Sequence, residues 1–159
     1  EMMKIIDNAI NEGYTVAWGG DVTEDGFTRM GLGIAYDVKK VRSMAGTDAD
    51  RWFKLSSTEK KSKLDSLGVD APEIVPTQEM RQEAFDNWET TDDHGMVIFG
   101  IAKDKNGREY YMVKNSWGEY GDYKGIWYMS KNYVAYKTMS FMVNKNAIPK
   151  DIRKKLGLN

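Results

Sequence analysis

The sequence predicts an α+β fold, and three observations carry that expectation. Apolar residues recur at helical spacing near the start of the chain and again around residue 80. From residue 94 onward the pattern turns to β-branched and aromatic runs, broken by the turn signal Asp104-Lys105-Asn106-Gly107. Helices first and consecutive strands afterwards is the α+β order. The 159 residues are read as one domain spanning 1–159, since a chain of this size hides roughly 70% of its unfolded surface.

The elements follow in order. Met3, Ile6 and Ile10, with Ile5 and Ala9, predict an amphipathic helix over 2–12 that Gly13 stops. Tyr14–Trp18 is rich in β-formers and predicts a strand ending at a tight turn, Gly19-Gly20-Asp21. Residues 22–36 hold three glycines among scattered apolar residues and read as short strands and loops. Ser56 with Glu59 has capping-box spacing and opens a polar surface helix over 57–67, rich in Lys and Ser. Pro72 and Pro76 mark a connector. After Thr77, the residues Met80, Ala84, Phe85 and Trp88 return to helical spacing. Strands are expected over Gly95–Lys103, Glu109–Lys114, Gly125–Met129 and Met139–Asn144, with a short helix within Ser130–Lys137. Pro149–Leu156 reads as a last helix stopped by Gly157.

Composition narrows the function classes. Hydrophobic residues make up 41% and charged residues 30%, a globular balance rather than a disordered one. No run of about 18 apolar residues predicts a membrane span. The opening Glu1-Met2-Met3-Lys4 leads directly into a helical pattern with no charged-then-apolar signal segment. A net charge of −1 argues against a global nucleic-acid binder. The dense aromatics Tyr110, Tyr111, Trp117, Tyr120, Tyr123, Trp127 and Tyr128 therefore read as core or cleft packing rather than base-stacking platforms. Lys145, Lys150, Arg153, Lys154 and Lys155 read as a solvated face, and the ten methionines as core filling. With no cysteine, the chain has no disulfide, no thiolate metal site and no thiol nucleophile of its own.

His94 is the single histidine. A lone histidine is ordinarily structural, but the hairpin around residues 104–107 folds the second strand back on the first. That brings His94 to Asn115 at one end of the sheet. An amide that accepts from one ring N–H fixes the ring and its tautomer, and leaves the other nitrogen to serve a nucleophile. Trp117 follows two residues later, where an indole would shield such a hydrogen bond. Asn115-Ser116-Trp117-Gly118 also suits a plain loop start. Ser116 as a replacement nucleophile lacks a nucleophile-elbow pattern and reads as a turn hydroxyl. Asp92-Asp93-His94 as a metal site would need adjacent side chains to point at one ion, so the aspartates read as loop residues before a strand and no metal or cofactor is expected.

His94-Gly95-Met96, the hairpin, and Lys114-Asn115-Ser116-Trp117-Gly118-Glu119 resemble the His and Asn segments of papain-like cysteine peptidases. Trp18-Gly19-Gly20-Asp21-Val22, Asp92-Asp93-His94-Gly95-Met96, Val113 to Gly118, Lys124-Gly125-Ile126 and Val143 to Ile148 narrow the resemblance to the C-terminal part of the bleomycin hydrolase and aminopeptidase C family. It is patchy between about 37 and 76.

The resemblance implies the antiparallel, barrel-like right-hand domain of that fold with flanking helices. It assigns His94 as general base, Asn115 as its orienting group and Trp117 as the cover. It places the nucleophilic cysteine and the oxyanion glutamine on an N-terminal half that nothing here matches. This chain would then supply two of three catalytic residues of an aminopeptidase and be inactive alone. The same resemblance implies a peptide substrate, a hexameric assembly, a cytoplasmic setting and a C-terminal tail in the cleft, whereas this sequence ends Lys154-Lys155-Leu156-Gly157-Leu158-Asn159. The competing expectation is a non-catalytic peptide-binding or scaffold module with a papain-like half fold. If an N-terminal half is missing, a face of this domain should be more apolar than its surroundings where that half docks, and a uniformly polar surface around His94 would count against it.

Overall fold

A computed structural model of the chain describes residues 1–44 and 54–158. Helix α1 spans Met2–Asn11 and buries Ile5, Ile6 and Ala9, the face its periodicity marks. Gly13 ends it at φ 81°, a left-handed turn that suits glycine. Strand β1, Val16–Gly20, alternates buried Val16, Trp18 and Gly20 with exposed Ala17 and half-buried Gly19. The expected turn at Gly19-Gly20 is instead strand. Both glycines pair with a neighbour on each side, with a register shift between them. A Cβ on Gly20 would sit 2.3 Å from the Lys137 carbonyl oxygen, so glycine is what permits that close approach.

Residues 22–36 contribute a short strand, β2, at Leu32–Gly33. Helix α2, Val38–Met44, falls in a stretch for which the sequence predicted no element. Helix α3, Ser57–Leu67, opens on the expected capping box, Ser56 with Glu59, and buries Leu64 of its mostly polar surface. The connector after it is clamped by the buried Glu73, which accepts from the Ala35 N–H (3.0 Å) and the Ser130 hydroxyl and faces Arg108.

Helix α4, Gln78–Asp86, starts at Thr77 as predicted, but its apolar stripe is not a core face. Only Ala84 is buried, Phe85 is exposed, and Trp88 lies past the helix end at φ 63°, 79% exposed. The helix docks instead through Arg81, whose guanidinium donates to the carbonyls of Ala135, Tyr136 (3.2 Å) and Thr138 (2.9 Å). Those oxygens end helix α5, Lys131–Lys137, and begin the strand after it, where backbone acceptors lack helical partners.

The rest of the sheet comprises β3 (His94–Lys103), β4 (Glu109–Lys114), β5 (Ile126–Ser130) and β6 (Thr138–Val143). Helix α6, Lys150–Lys155, closes the chain and Gly157 follows it at φ 67°. The β4 boundaries match the sequence reading, and β5 and β6 are displaced by one residue from it.

The six strands run in the order β2-β5-β4-β3-β1-β6, every pair antiparallel except β2 with β5. The fold is therefore α+β, but the barrel-like closure is not reached. The edges β2 and β6 lie at opposite ends of the order, and β2 is two residues long, too short to close a barrel. The core lies on one face, where Trp18, Met96, Ile98, Tyr111, Val113 and Trp127 pack beneath α1 and α5.

Candidate active site

The hairpin β3–β4 sets the site, and an irregularity within it decides which way the histidine faces. Near the turn, Lys103 pairs with Glu109 and Gly100 with Met112. Past Phe99 the register shifts, and Ile98 pairs with Val113 and Val97 with Lys114. Phe99 is thus an extra residue, a β-bulge. It lets both Ile101 and Ile98 face the core, although they are three residues apart. Without it the pleat would put His94 on the opposite face. The bulge returns His94 to the side of Val113 and Asn115.

There His94 Nε2 lies 2.8 Å from Asn115 Oδ1. The same oxygen accepts the Ser116 N–H at 2.7 Å. A backbone N–H can only donate, so the amide oxygen must face the ring, and Nε2 is the protonated nitrogen that donates to it. In the neutral ring Nδ1 is then the acceptor nitrogen, and it has no partner among the described residues. Asn115 is 2% exposed, which keeps water from competing for the bond.

Trp117 sits over this pair, its ring centroid 5.2 Å from that of His94 at an interplanar angle of 49°. Its own ring is held edge-on against Trp127 (5.5 Å), Phe27 (6.3 Å) and Tyr120 (6.4 Å), while it remains 50% exposed. Trp127 anchors the cluster by donating Nε1–H to the Thr28 carbonyl at 2.9 Å. Phe27 and Trp127 stack 5.4 Å apart. The sequence marked the aromatic density but not Phe27, which meets this cluster from a loop 90 residues earlier than Trp117.

The approach to His94 is fixed by groups the sequence did not single out. Asp21 is buried and accepts from the Thr91 N–H (2.9 Å), the Thr23 N–H (2.9 Å) and the Thr23 hydroxyl (2.8 Å). Burial pushes its carboxyl up, but those hydrogen bonds and the nearby Lys137 charge outweigh it and hold the carboxyl below its ordinary range. Lys137, also buried, donates to the Glu89 carbonyl and the Thr90 hydroxyl, both at 3.0 Å, and pairs with Glu24. Burial pushes the Glu24 carboxyl above its ordinary range against that pairing. Both side chains secure residues 89–91, the run into His94. Their partners lie 47 to 70 residues away in the chain, so no local pattern reveals them.

Asp93 turns to the Val22 N–H (3.1 Å) and the Thr91 hydroxyl (3.2 Å), as a loop residue does. Among the described residues no group of three His, Cys, Asp or Glu side chains could hold a metal ion. Ser116 engages the pair through its backbone N–H rather than its hydroxyl.

His94, Asn115 and Ser116 line an open trough of about 990 Å³. It runs across the face of β3-β1-β6 away from the core, over Ala17, Gly19, Gly95, Val97, Ser140 and Met142. Val97, Phe99 and Met142 expose apolar surface on this side, Met142 to 74%.

The chain thus builds a mostly antiparallel sheet with a histidine–asparagine pair at its end under an indole. The chain belongs to the Peptidase C1-like family, whose model matches residues 70–158. It is similar to an aminopeptidase C of Lactobacillus helveticus, 25% identical over 154 residues and 97% of this chain. A 40-residue segment is 42% identical to cathepsin L1 of Drosophila melanogaster, covering 25% of this chain and 11% of that one. The fold is similar to the crystal structure of PepW from Lactobacillus rhamnosis HN001, with a TM-score of 0.58, 18% identity and 97% of this chain covered. The chain spans 28% of the length of that aminopeptidase C and 29% of PepW.

Proposed function

We propose that this chain supplies the histidine and asparagine of a Cys–His–Asn peptidase that cleaves peptides by acyl transfer. The nucleophilic cysteine would come from a segment outside these 159 residues, docked on the exposed apolar face beside His94. One observation carries the reading. Asn115 Oδ1 is committed to the His94 Nε2–H and the Ser116 N–H, which leaves Nδ1 without a partner among the described residues. The likeness to an aminopeptidase C, and the share of that relative's length this chain leaves unmatched, support it.

In that reaction Nδ1 takes the thiol proton, and the imidazolium lowers the thiol pKa by its charge. The thiolate sulfur attacks the scissile carbonyl carbon. The C–N bond breaks as the Nδ1 proton passes to the leaving amine. Water then attacks the thioester, giving its proton to Nδ1, and the thiol is restored as the acid leaves. Asn115 exchanges no proton. It holds the ring through both half-reactions, while Trp117 keeps water from the bond that does so. Removal of amino acids from peptide N-termini and a hexameric assembly are part of the same reading.

The test supplies the thiol. The coding sequence upstream of Glu1 should encode a Gln followed several residues later by a Cys that opens a helix. The protein carrying both parts should hydrolyse aminoacyl-coumarin amides, and iodoacetamide should stop it. His94→Ala should lower kcat about 10²–10⁴-fold. Asn115→Ala should cost less, because the base survives without its guide. Turnover by the 159-residue chain alone, resistant to iodoacetamide and abolished by His94→Ala, would overturn the thiol mechanism. A gene product that consists of this chain alone and binds peptides without cleaving them would favour the scaffold reading.

A further inference from the structure

The trough beside His94 contains one charged side chain with no hydrogen-bond or ion-pair partner among the described residues. Of the ionisable side chains lining it, His94 is engaged with Asn115, Asp93 accepts from the Val22 N–H and the Thr91 hydroxyl, and the Lys114 ammonium donates to the Lys124 carbonyl at 2.9 Å. Asp92 is exposed to the trough and makes no hydrogen bond or ion pair among the described residues.

Its carboxylate also has a defined neighbour. Asp92 Oδ1 and Ser140 Oγ lie 3.2 and 2.5 Å from the point where a Cβ on Gly19 would stand. Two oxygens therefore converge on a space that exists because residue 19 has no side chain. Ser140 Oγ likewise has no hydrogen-bond partner among the described residues. Gly95, across the ladder from Gly19, leaves its side open as well, with nothing within 4 Å of the place its Cβ would take. An ionised carboxylate offers acceptors only, and a hydroxyl can add another, so a multiple N–H donor carrying positive charge matches this corner.

We propose that Asp92 and Ser140 form a cation-recognising corner of the trough, which binds a positively charged group of a peptide substrate and so sets which peptides His94 meets. The charge could be borne by the peptide's α-ammonium or by a lysine or arginine side chain. Substrate in this sense rests on the peptidase reading above, but the binding belongs to this chain and is measured on it without turnover.

The experiment titrates the ¹⁵N-labelled chain with four small amides and follows the backbone signals of Gly19 and Gly95. Leucine amide carries only an α-ammonium, N-acetyl-arginine amide only a side-chain cation, arginine amide both, and N-acetyl-leucine amide neither. At least one singly charged probe should bind about three- to fivefold more tightly than N-acetyl-leucine amide, the scale of a solvent-accessible charge pair. Which one does so identifies the source of the charge.

Asp92→Asn should erase that difference, added salt should shrink it in the unmodified chain, and Gly19→Ala should weaken binding by filling the corner. Equal affinity for charged and neutral probes would overturn the proposal. So would an Asp92→Asn chain that keeps the preference, or the absence of any shift at Gly19 and Gly95. If the charge preference holds but the cysteine-bearing protein never cleaves a peptide, the proposed reaction fails and the cation site stands. If peptides are cleaved without the preference, the reaction stands and the cation site fails.

Discussion

The two faces of β3-β1-β6 are built from opposite materials. One carries Trp18, Met96 and Ile98, closed over by α1 and packed into a continuous core. The other carries Ala17, Gly19, Gly95 and Ser140 between Val97 and Met142, and none of these is buried. The same strands supply both rows, since successive side chains point to opposite sides. One row commits its bulk to the fold. The other keeps its side chains small next to a histidine whose ring is already oriented. Glycine in a strand interior weakens the strand and lets another group come close. The open face thus trades strand stability for access.

That contrast can be broken at its origin. Deleting Phe99 removes the bulge, and everything from Ile98 back to His94 then changes face. We expect the native fold to be lost, read as collapse of near-ultraviolet circular dichroism and of the cooperative urea transition. Survival of both would refute the role given to the bulge. Next in size, Trp18→Ala on the closed face should cost about 3–5 kcal/mol in urea denaturation, because it empties a buried indole site and removes the indole N–H donated to the Thr138 hydroxyl.

A smaller effect separates two acids, Asp21 and Glu73. The Asp21 carboxyl is held below its ordinary range, so it contributes stability that is full above the unfolded value of about 3.9. That stability is lost as pH falls through the lower folded value. Glu73 runs the other way. Burial holds its carboxyl above the ordinary range against the pull of Ser130, Ala35 and Arg108. Its contribution is full at low pH and declines as pH rises through the raised folded value. Measured from pH 3 to 7, the stability gap between the native chain and Asp21→Asn should widen, and that between the native chain and Glu73→Gln should narrow. Equal slopes would contradict the assignment. The smallest effect belongs to the open face, where Met142→Ser should change stability by less than about 0.5 kcal/mol.

What was legible in the sequence follows the range of the forces involved. The capping box at Ser56, the helix under Ile6 and Ala9, and the hairpin limits at Lys103 and Glu109 are local, set by residues within a few positions of each other. The meeting of His94 and Asn115 was legible too, since a hairpin makes neighbours of residues equidistant from its turn. The bulge at Phe99 was not, because nothing in a β-rich run marks which residue the ladder skips. Trp88 kept helical spacing with Met80 and Ala84 yet lies beyond the helix, since spacing says nothing about where packing stops. Asp21 and Lys137 escaped for a plainer reason: their partners come from distant strands and loops. The pairing of two neighbouring glycines with both β3 and β6 is likewise a tertiary fact, and local composition argued for a turn.

The place of β1 in the sheet has a consequence for how the chain is made. Val16 pairs with Ile98 and Gly20 with His94, partners synthesised 74 to 82 residues later. At roughly 5–20 residues per second, β1 leaves the ribosome about 4–16 s before β3 exists to receive it. Its other neighbour, β6, is later still. Until then two unpaired strand edges and the indole of Trp18 face the cellular milieu, a template for the wrong partner. An interior strand of the finished sheet is therefore the hazard of the unfinished one, and α1, complete beforehand and ending five residues before it, is the nearest apolar surface on which it can wait.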